Sequence, residues 1–251
     1  MDIAGHPARW ETEDQEPAMT VTTTSLTRAA GVAAAAAGAI FIGVQIGHPQ
    51  RNLTTVTTTD VFVRDCFKVL MCALAVAGIS GMYLSQVRRN GVLGLVGWLV
   101  FSAGYLWIMC TTFVSTVVVP TIAGRNPGFV KDYIALATSR GTVSGDVGVL
   151  PAVFKVQGIL YLAGGLLFGI ALLRAHVLAR WATVLLAVSG FASVVLSLMP
   201  DAFYRLLAYP NGIAMIGLGV SLGLSQRPAP AVETSASPAV VTSGDHAPAV
   251  R

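Results

Sequence analysis

Few residues of this chain could do chemistry, and they fall in two places. Arg64, Asp65 and Lys68 form one group, with His48 upstream of them. Arg64 and Lys68 are one helical turn apart and Asp65 lies at i, i+3 from Lys68, so a helix gathers the three on neighbouring faces. At a membrane surface such a set is an ion pair with snorkelling side chains. Facing an external cavity, it is instead a polar patch in which Asp65 works with Arg64, Lys68 or His48. The second place is Tyr209-Pro210-Asn211-Gly212. Proline inside a helix removes a hydrogen bond and clashes with the preceding turn, at a cost of roughly 3 kcal/mol. In hydrocarbon the freed carbonyl also needs a partner. Asn211 carries an amide that can serve, and Gly212 tolerates unusual dihedrals. Either a helix starts there with Pro210 in its first turn, or it breaks inside a cavity where Tyr209 and Asn211 touch a ligand. In both cases Asn211 faces protein or water and not lipid.

Other chemistries are poorly supported. The four histidines are His6, His48, His176 and His246. Two lie in the tails and two at opposite ends of apolar segments, so neither a haem pair nor a metal cluster is expected. The three cysteines, Cys66, Cys72 and Cys110, form no C-x-x-C pair and lie in or beside apolar stretches. They suit small buried side chains better than a disulfide or a metal set. There is no P-loop, G-x-S-x-G or H-E-x-x-H. No acid lies in the middle of an apolar segment, which argues against an ion-coupled carrier. No cofactor is expected.

Lipid must position these residues. Of 251 residues, 54% are hydrophobic and only 11% charged, and the mean hydropathy is +0.70. A soluble domain carries about 25% charge, so this surface needs a bilayer to cover it. The net charge of +4 comes from arginines at segment ends and suits an anionic inner leaflet. No basic run is interleaved with aromatics, so nucleic acid is not an expected partner.

The pattern predicts an all-α polytopic transmembrane bundle of six helices, near 29–47, 62–86, 92–119, 156–173, 181–199 and 203–226. Residues 156–173 and 181–199 are free of charge and joined by the short turn 174–180, so they form an antiparallel hairpin. Arg174, Arg180, Arg88 and Arg89 mark two short turns as cytoplasmic. Both tails, 1–25 and 228–251, are then cytoplasmic as well, and their polar composition predicts disorder. The first segment looks like a signal peptide but lacks a small-residue cleavage site, which predicts an uncleaved anchor. Met19 is a second candidate start. Pro120 is expected to stop the third helix. Asn126-Pro127 opens a short amphipathic helix on the outer surface, with Lys131 and Asp132 on its polar face, and 141–148 is a flexible loop. Gly165 and Gly169 form G-x-x-x-G, which admits a close neighbour.

Arg28, Gly31, Gly38 and Phe41 match Lys155, Gly158, Gly165 and Phe168 at one constant offset. With three helices in each half, such a repeat gives two halves of opposite orientation. Gly47-His48-Pro49, Arg89-Asn90-Gly91-Val92-Leu93-Gly94 and Ala171-Leu172-Leu173-Arg174-Ala175 with Leu178-Ala179-Arg180-Trp181-Ala182 give the chain its family likeness. On these pieces it resembles uncharacterised multi-pass bacterial membrane proteins of the domain-of-unknown-function kind. The resemblance implies a six-helix bundle in the plasma membrane and brings no catalytic residue. Three functions then compete. The main expectation is a non-enzymatic membrane protein that packs on lipid and on a membrane-protein partner or a second copy. The alternatives are a small-molecule or lipid permease, and a membrane enzyme acting at the outer face.

Overall fold

The computed structural model describes residues 22–197 and 208–225. Among these, seven α-helices follow in order: α1 Thr23–Gly43, α2 Thr59–Ser85, α3 Val87–Ile122, α4 Pro127–Thr138, α5 Leu150–Ala175, α6 Arg180–Ser197 and α7 Ala208–Leu224, with a 3-10 turn at Thr55–Thr57. Six of them close a ring in which α1 packs on α2, α2 on α3, α3 on α5, α5 on α6, α6 on α7, and α7 back on α1. Every neighbouring pair is antiparallel. α4 lies across one end, against α3 and α5. Four helices, α1, α2, α3 and α5, are long and apolar enough to cross a membrane.

The helices begin and end where backbone groups find partners. α1 starts ahead of the expected 29, because Thr22 and Ser25 form a reciprocal capping box; the nitrogen of Ser25 donates to Thr22 Oγ1 at 3.1 Å. Residues 22–25 are therefore the cap and first turn of a helix, not part of a tail. α1 ends at Gly43, short of 47, and turns through Gly47 at φ 62. α2 starts at Thr59, before 62. α3 includes a corner at Gly91, with φ 55, so Val87 to Asn90 is one turn that joins α2 to the continuous part of α3. Pro120 does not stop α3, which runs on to Ile122. So near the end the missing N–H removes a single bond, and the nitrogen of Ala123 caps the carbonyl of Pro120 at 3.4 Å. α5 is longer at both ends than 156–173. The described part of α7 begins at Ala208 and includes Pro210; the start of this helix, with the expected 203, lies outside the described residues. So do residues 1–21, 198–207 and 226–251.

The ring is filled and not hollow. Phe101, Tyr105, Phe168, Leu172, Leu186, Met215, Leu218 and Leu222 are fully buried and belong to one cluster. Large apolar side chains such as Phe62, Phe67, Leu99, Phe113, Ile159, Val188 and Phe191 point outward instead. That inverted surface is the lipid-facing one.

Glycines set the helix spacing. A Cβ on Gly31 would lie 2.7 Å from the Gly219 carbonyl oxygen, and one on Gly169 would lie 2.7 Å from Ala187. Across the ring, Gly97 and Gly104 of α3 meet Phe168 and Tyr161 of α5 in the same way. Gly158 has nothing within 4 Å. The sequence match of Gly31 with Gly158 therefore joins a contact residue to one that faces outward. By packing, Gly31 against Gly219 corresponds to Tyr161 against Gly104, three positions away from that match.

Gly31→Ala is expected to lower stability by about 1–3 kcal/mol, because the α1–α7 backbone must shift. Gly158→Ala is expected to be neutral or stabilising by up to about 1 kcal/mol through helix propensity. Thermal unfolding of both variants in one detergent checks this, and equal effects would contradict the packing.

Candidate functional site

The end of the ring covered by α4 holds all four described carboxylates, Asp60, Asp65, Asp132 and Asp146. Asp65, on the second turn of α2, is completely buried. Both of its oxygens accept from Arg51 Nη2, and Lys68 Nζ donates to Oδ1 at 3.1 Å. Arg51 also donates from Nη1 to Ser115 Oγ of α3 at 2.5 Å. The loop between α1 and α2 carries Arg51 there because it is folded on itself. Asn52 Oδ1 accepts the nitrogens of Thr54 and Thr55 at 3.0 and 2.9 Å. Thr55 Oγ1 donates to the Gln50 carbonyl at 2.7 Å. Val56 is buried against α3 and α4.

Lys68 Nζ also donates to His48 Nε2 at 3.0 Å. The other ring nitrogen, Nδ1, lies 2.7 Å from the Pro49 carbonyl oxygen. A carbonyl only accepts, so the proton sits on Nδ1 and His48 is neutral. Burial, and then the Lys68 ammonium, hold the imidazole down at about 4 from an ordinary 6.5. Arg64 is elsewhere. It pairs with Asp60 at 2.9 Å and donates to the carbonyls of Val44 and Ile46 at 3.2 and 2.8 Å, closing the end of α1. Of the four residues singled out in the sequence, Asp65, Lys68 and His48 therefore meet, and Arg64 serves the helix end.

A cavity of about 420 Å³ opens beside this cluster. Lys68, Arg51 and His48 form one wall, and Arg140 lies on its rim. Thr111, Ser115 and Gln157 line the floor; Thr111 donates to Gln157 Oε1 at 2.6 Å. α4 supplies an apolar side with Ile134 and Ala137, and Tyr133 stacks edge-on against Phe154 with ring centres 5.5 Å apart. Tyr133 donates to the Thr111 carbonyl at 2.9 Å, and burial pushes its phenol above the ordinary range. α4 is capped by Asn126, which accepts from the nitrogen of Phe129 at 3.1 Å. Asp132 is not on an exposed face of α4, unlike Lys131: it is buried and accepts from the nitrogens of Ser144 and Gly145 at 3.1 and 2.8 Å. Those bonds hold its carboxyl below its ordinary value and tie down the 141–148 loop.

Asn211 and Tyr209 lie apart from this cavity. Asn211 is fully buried; its Nδ2 donates to Tyr105 Oη at 2.9 Å and to Tyr161 Oη. Its Oδ1 has no partner among the described residues. Tyr209 is half-buried in α7. Cys72 is buried, whereas Cys66 and Cys110 are exposed on the outer surface. Among the described residues no three His, Cys, Asp or Glu side chains meet as a metal site requires. No family model, curated protein or solved structure matches the chain.

The arrangement suits electrostatic binding better than proton transfer. Both ring nitrogens of His48 are engaged, and Asp65 is buried with both oxygens held by cations, so neither presents a free base to the cavity. Lys68 has three N–H donors and spends two on its protein side, which leaves one for the cavity. Sequence reasoning missed Arg51, Ser115, Gln157 and Tyr133. The only signal was the run of hydroxyls Thr111, Thr112, Ser115 and Thr116 on α3.

His48 binds its proton less readily folded than unfolded, so stability is complete above about pH 6.5 and falls as pH drops towards 4. The loss at pH 4.5 is expected to be roughly 2–3 kcal/mol. His48→Gln should remove this part of the pH dependence. Melting temperatures at pH 7 and 4.5 test it, and an equal fall in both proteins would refute the assignment.

Proposed function

We propose that this chain is a six-span plasma-membrane protein that binds a small organic anion in the pocket beneath α4, without turning it over. The carrying observation is that pocket. Arg51 and Lys68 line it, with Asp65 the carboxylate behind them among the described residues. The cationic wall faces an apolar one, so a carboxylate or phosphate with a short hydrophobic body fits, and the volume is in the range of ligand sites. This is a non-enzymatic reading. It sets aside the permease because the ring centre is filled by Phe101, Tyr105, Phe168 and Met215, and because Asn211 bonds to Tyr105 and Tyr161 away from the cavity.

Arg28, Arg88, Arg89, Arg174 and Arg180 gather at the opposite end, in short turns and helix starts. The positive-inside rule supports placing that end in the cytoplasm and the pocket outside. Six spans then require α6 and α7 to cross alongside the four longer helices. Two inverted three-helix halves are supported by the two glycine joints. Gly97 and Gly104 of α3, and Gly212 and Gly219 of α7, have the same spacing in helices of opposite direction.

Binding is tested by thermal shift of the purified protein with phenylacetate, phenyl phosphate, phenylacetamide and phenethylamine. An anion at ten times its Kd raises stability by about 1.4 kcal/mol; the amide and the amine should not, and Lys68→Met should abolish the shift. A response to all four probes, or to none, would overturn the reading. Orientation is tested in intact cells, in a background with Cys66 and Cys110 changed to alanine. A membrane-impermeant maleimide should label Arg125→Cys and spare Arg88→Cys; the reverse pattern inverts the topology.

A further inference from the structure

We infer a second binding site: the groove between α5 and α6 at the arginine-rich end holds an acidic phospholipid. The groove is shallow and open, about 820 Å³, and is bounded by Leu173 and Arg174 of α5, His176 of the turn, and Arg180, Trp181, Val184, Leu185 and Val188 of α6. Its parts are ordered as a lipid is. Arg174, His176 and Arg180 form a polar rim. Below them Val184 and Val188, one helical turn apart, are 45% and 50% exposed and form an apolar wall. Trp181 sits between rim and wall, 57% exposed, with its ring packed over Gly217 of α7. An indole belongs at that depth of a bilayer.

Charge selects the headgroup. All four described carboxylates lie at the other end of the ring, and Arg174 and Arg180 make no ion pair among the described residues. Their turn is rigid rather than adaptable: His176 closes α5 in the left-handed conformation, with φ 54, and the nitrogen of Ala179 donates to Ser221 of α7 at 2.9 Å. Two exposed guanidinium groups held at the ends of one short turn suit a phosphate, which takes several donors at once. The wall below has almost no polar surface to hold a soluble anion, whereas an acyl chain covers it. A basic pocket between helices above an apolar wall is the general form of an anionic lipid site.

The test adds lipid to the detergent-solubilised full chain and reads the apparent affinity from melting temperature. Dioleoylphosphatidylglycerol is expected to raise the melting temperature, and dioleoylphosphatidylcholine is not. Arg174→Gln with Arg180→Gln should weaken the phosphatidylglycerol response roughly fivefold per arginine lost. Arg88→Gln with Arg89→Gln, equal in charge and at the same end, should leave it within about twofold. Both pairs are exposed, so melting without lipid should match the parent protein. Equal weakening by the two pairs would mean diffuse surface charge and would overturn the site. A response to glycerol phosphate as strong as to the lipid would make it a soluble-anion site and overturn the lipid assignment. No response to phosphatidylglycerol would also overturn it.

Discussion

Apolar helices gain little by leaving lipid for one another, because acyl chains are as apolar as leucine. The ring therefore depends on how closely its backbones approach. Gly31 against Gly219, Gly97 against Phe168, Gly164 against Phe101 and Gly169 against Ala187 leave no room for a Cβ. Each contact adds small dispersion terms over many atoms, and their sum replaces the hydrophobic drive a soluble bundle would have. None of the described helices occupies the centre, so each of the six relies mainly on two neighbours. The side chains that fill the interior, Tyr105 and Phe168 among them, are held by that closure.

Closure creates a second constraint. Asp65 is shut away from water, and an uncompensated buried charge costs roughly 3–5 kcal/mol. Arg51 and Lys68 answer it from two different elements. Arg51 reaches Asp65 only because Asn52 and Thr55 fold the loop over the ring end. Lys68 then draws in His48, whose neutral form is the one that accepts from an ammonium. The pocket is a consequence of this arrangement. Cations recruited to satisfy one carboxylate exceed it, and the excess faces the space under α4.

Much of the architecture was legible in the sequence because a chain in hydrocarbon must satisfy its backbone within each segment. Charge-free stretches long enough to span, separated by arginine-bearing turns, leave few folds to choose from. Boundaries were less legible. Residues 22–25 look like a polar tail by composition, yet the same threonine and serine are what a helix N-terminus needs. Pro120 looks like a stop, yet within the last turn it breaks only one bond. Asp132 looks like an exposed residue on the polar face beside Lys131, yet a loop twelve residues on supplies the donors that bury it.

The sequence by itself determined that the chain is helical, apolar on its outside and basic at one set of turns. It also placed a carboxylate beside cations at the start of α2. Only the tertiary structure decided which cation meets which acid. Arg64, adjacent to Asp65, goes to the end of α1, while Arg51, fourteen positions away, takes the carboxylate. Asn211 meets Tyr105 across 106 positions and lies in the core, outside the cavity. The physical reason is common to these cases. Local pattern sets helix and burial, which depend on neighbours along the chain. Pairing of polar groups depends on distances between helices, and those are set by the glycine contacts that close the ring.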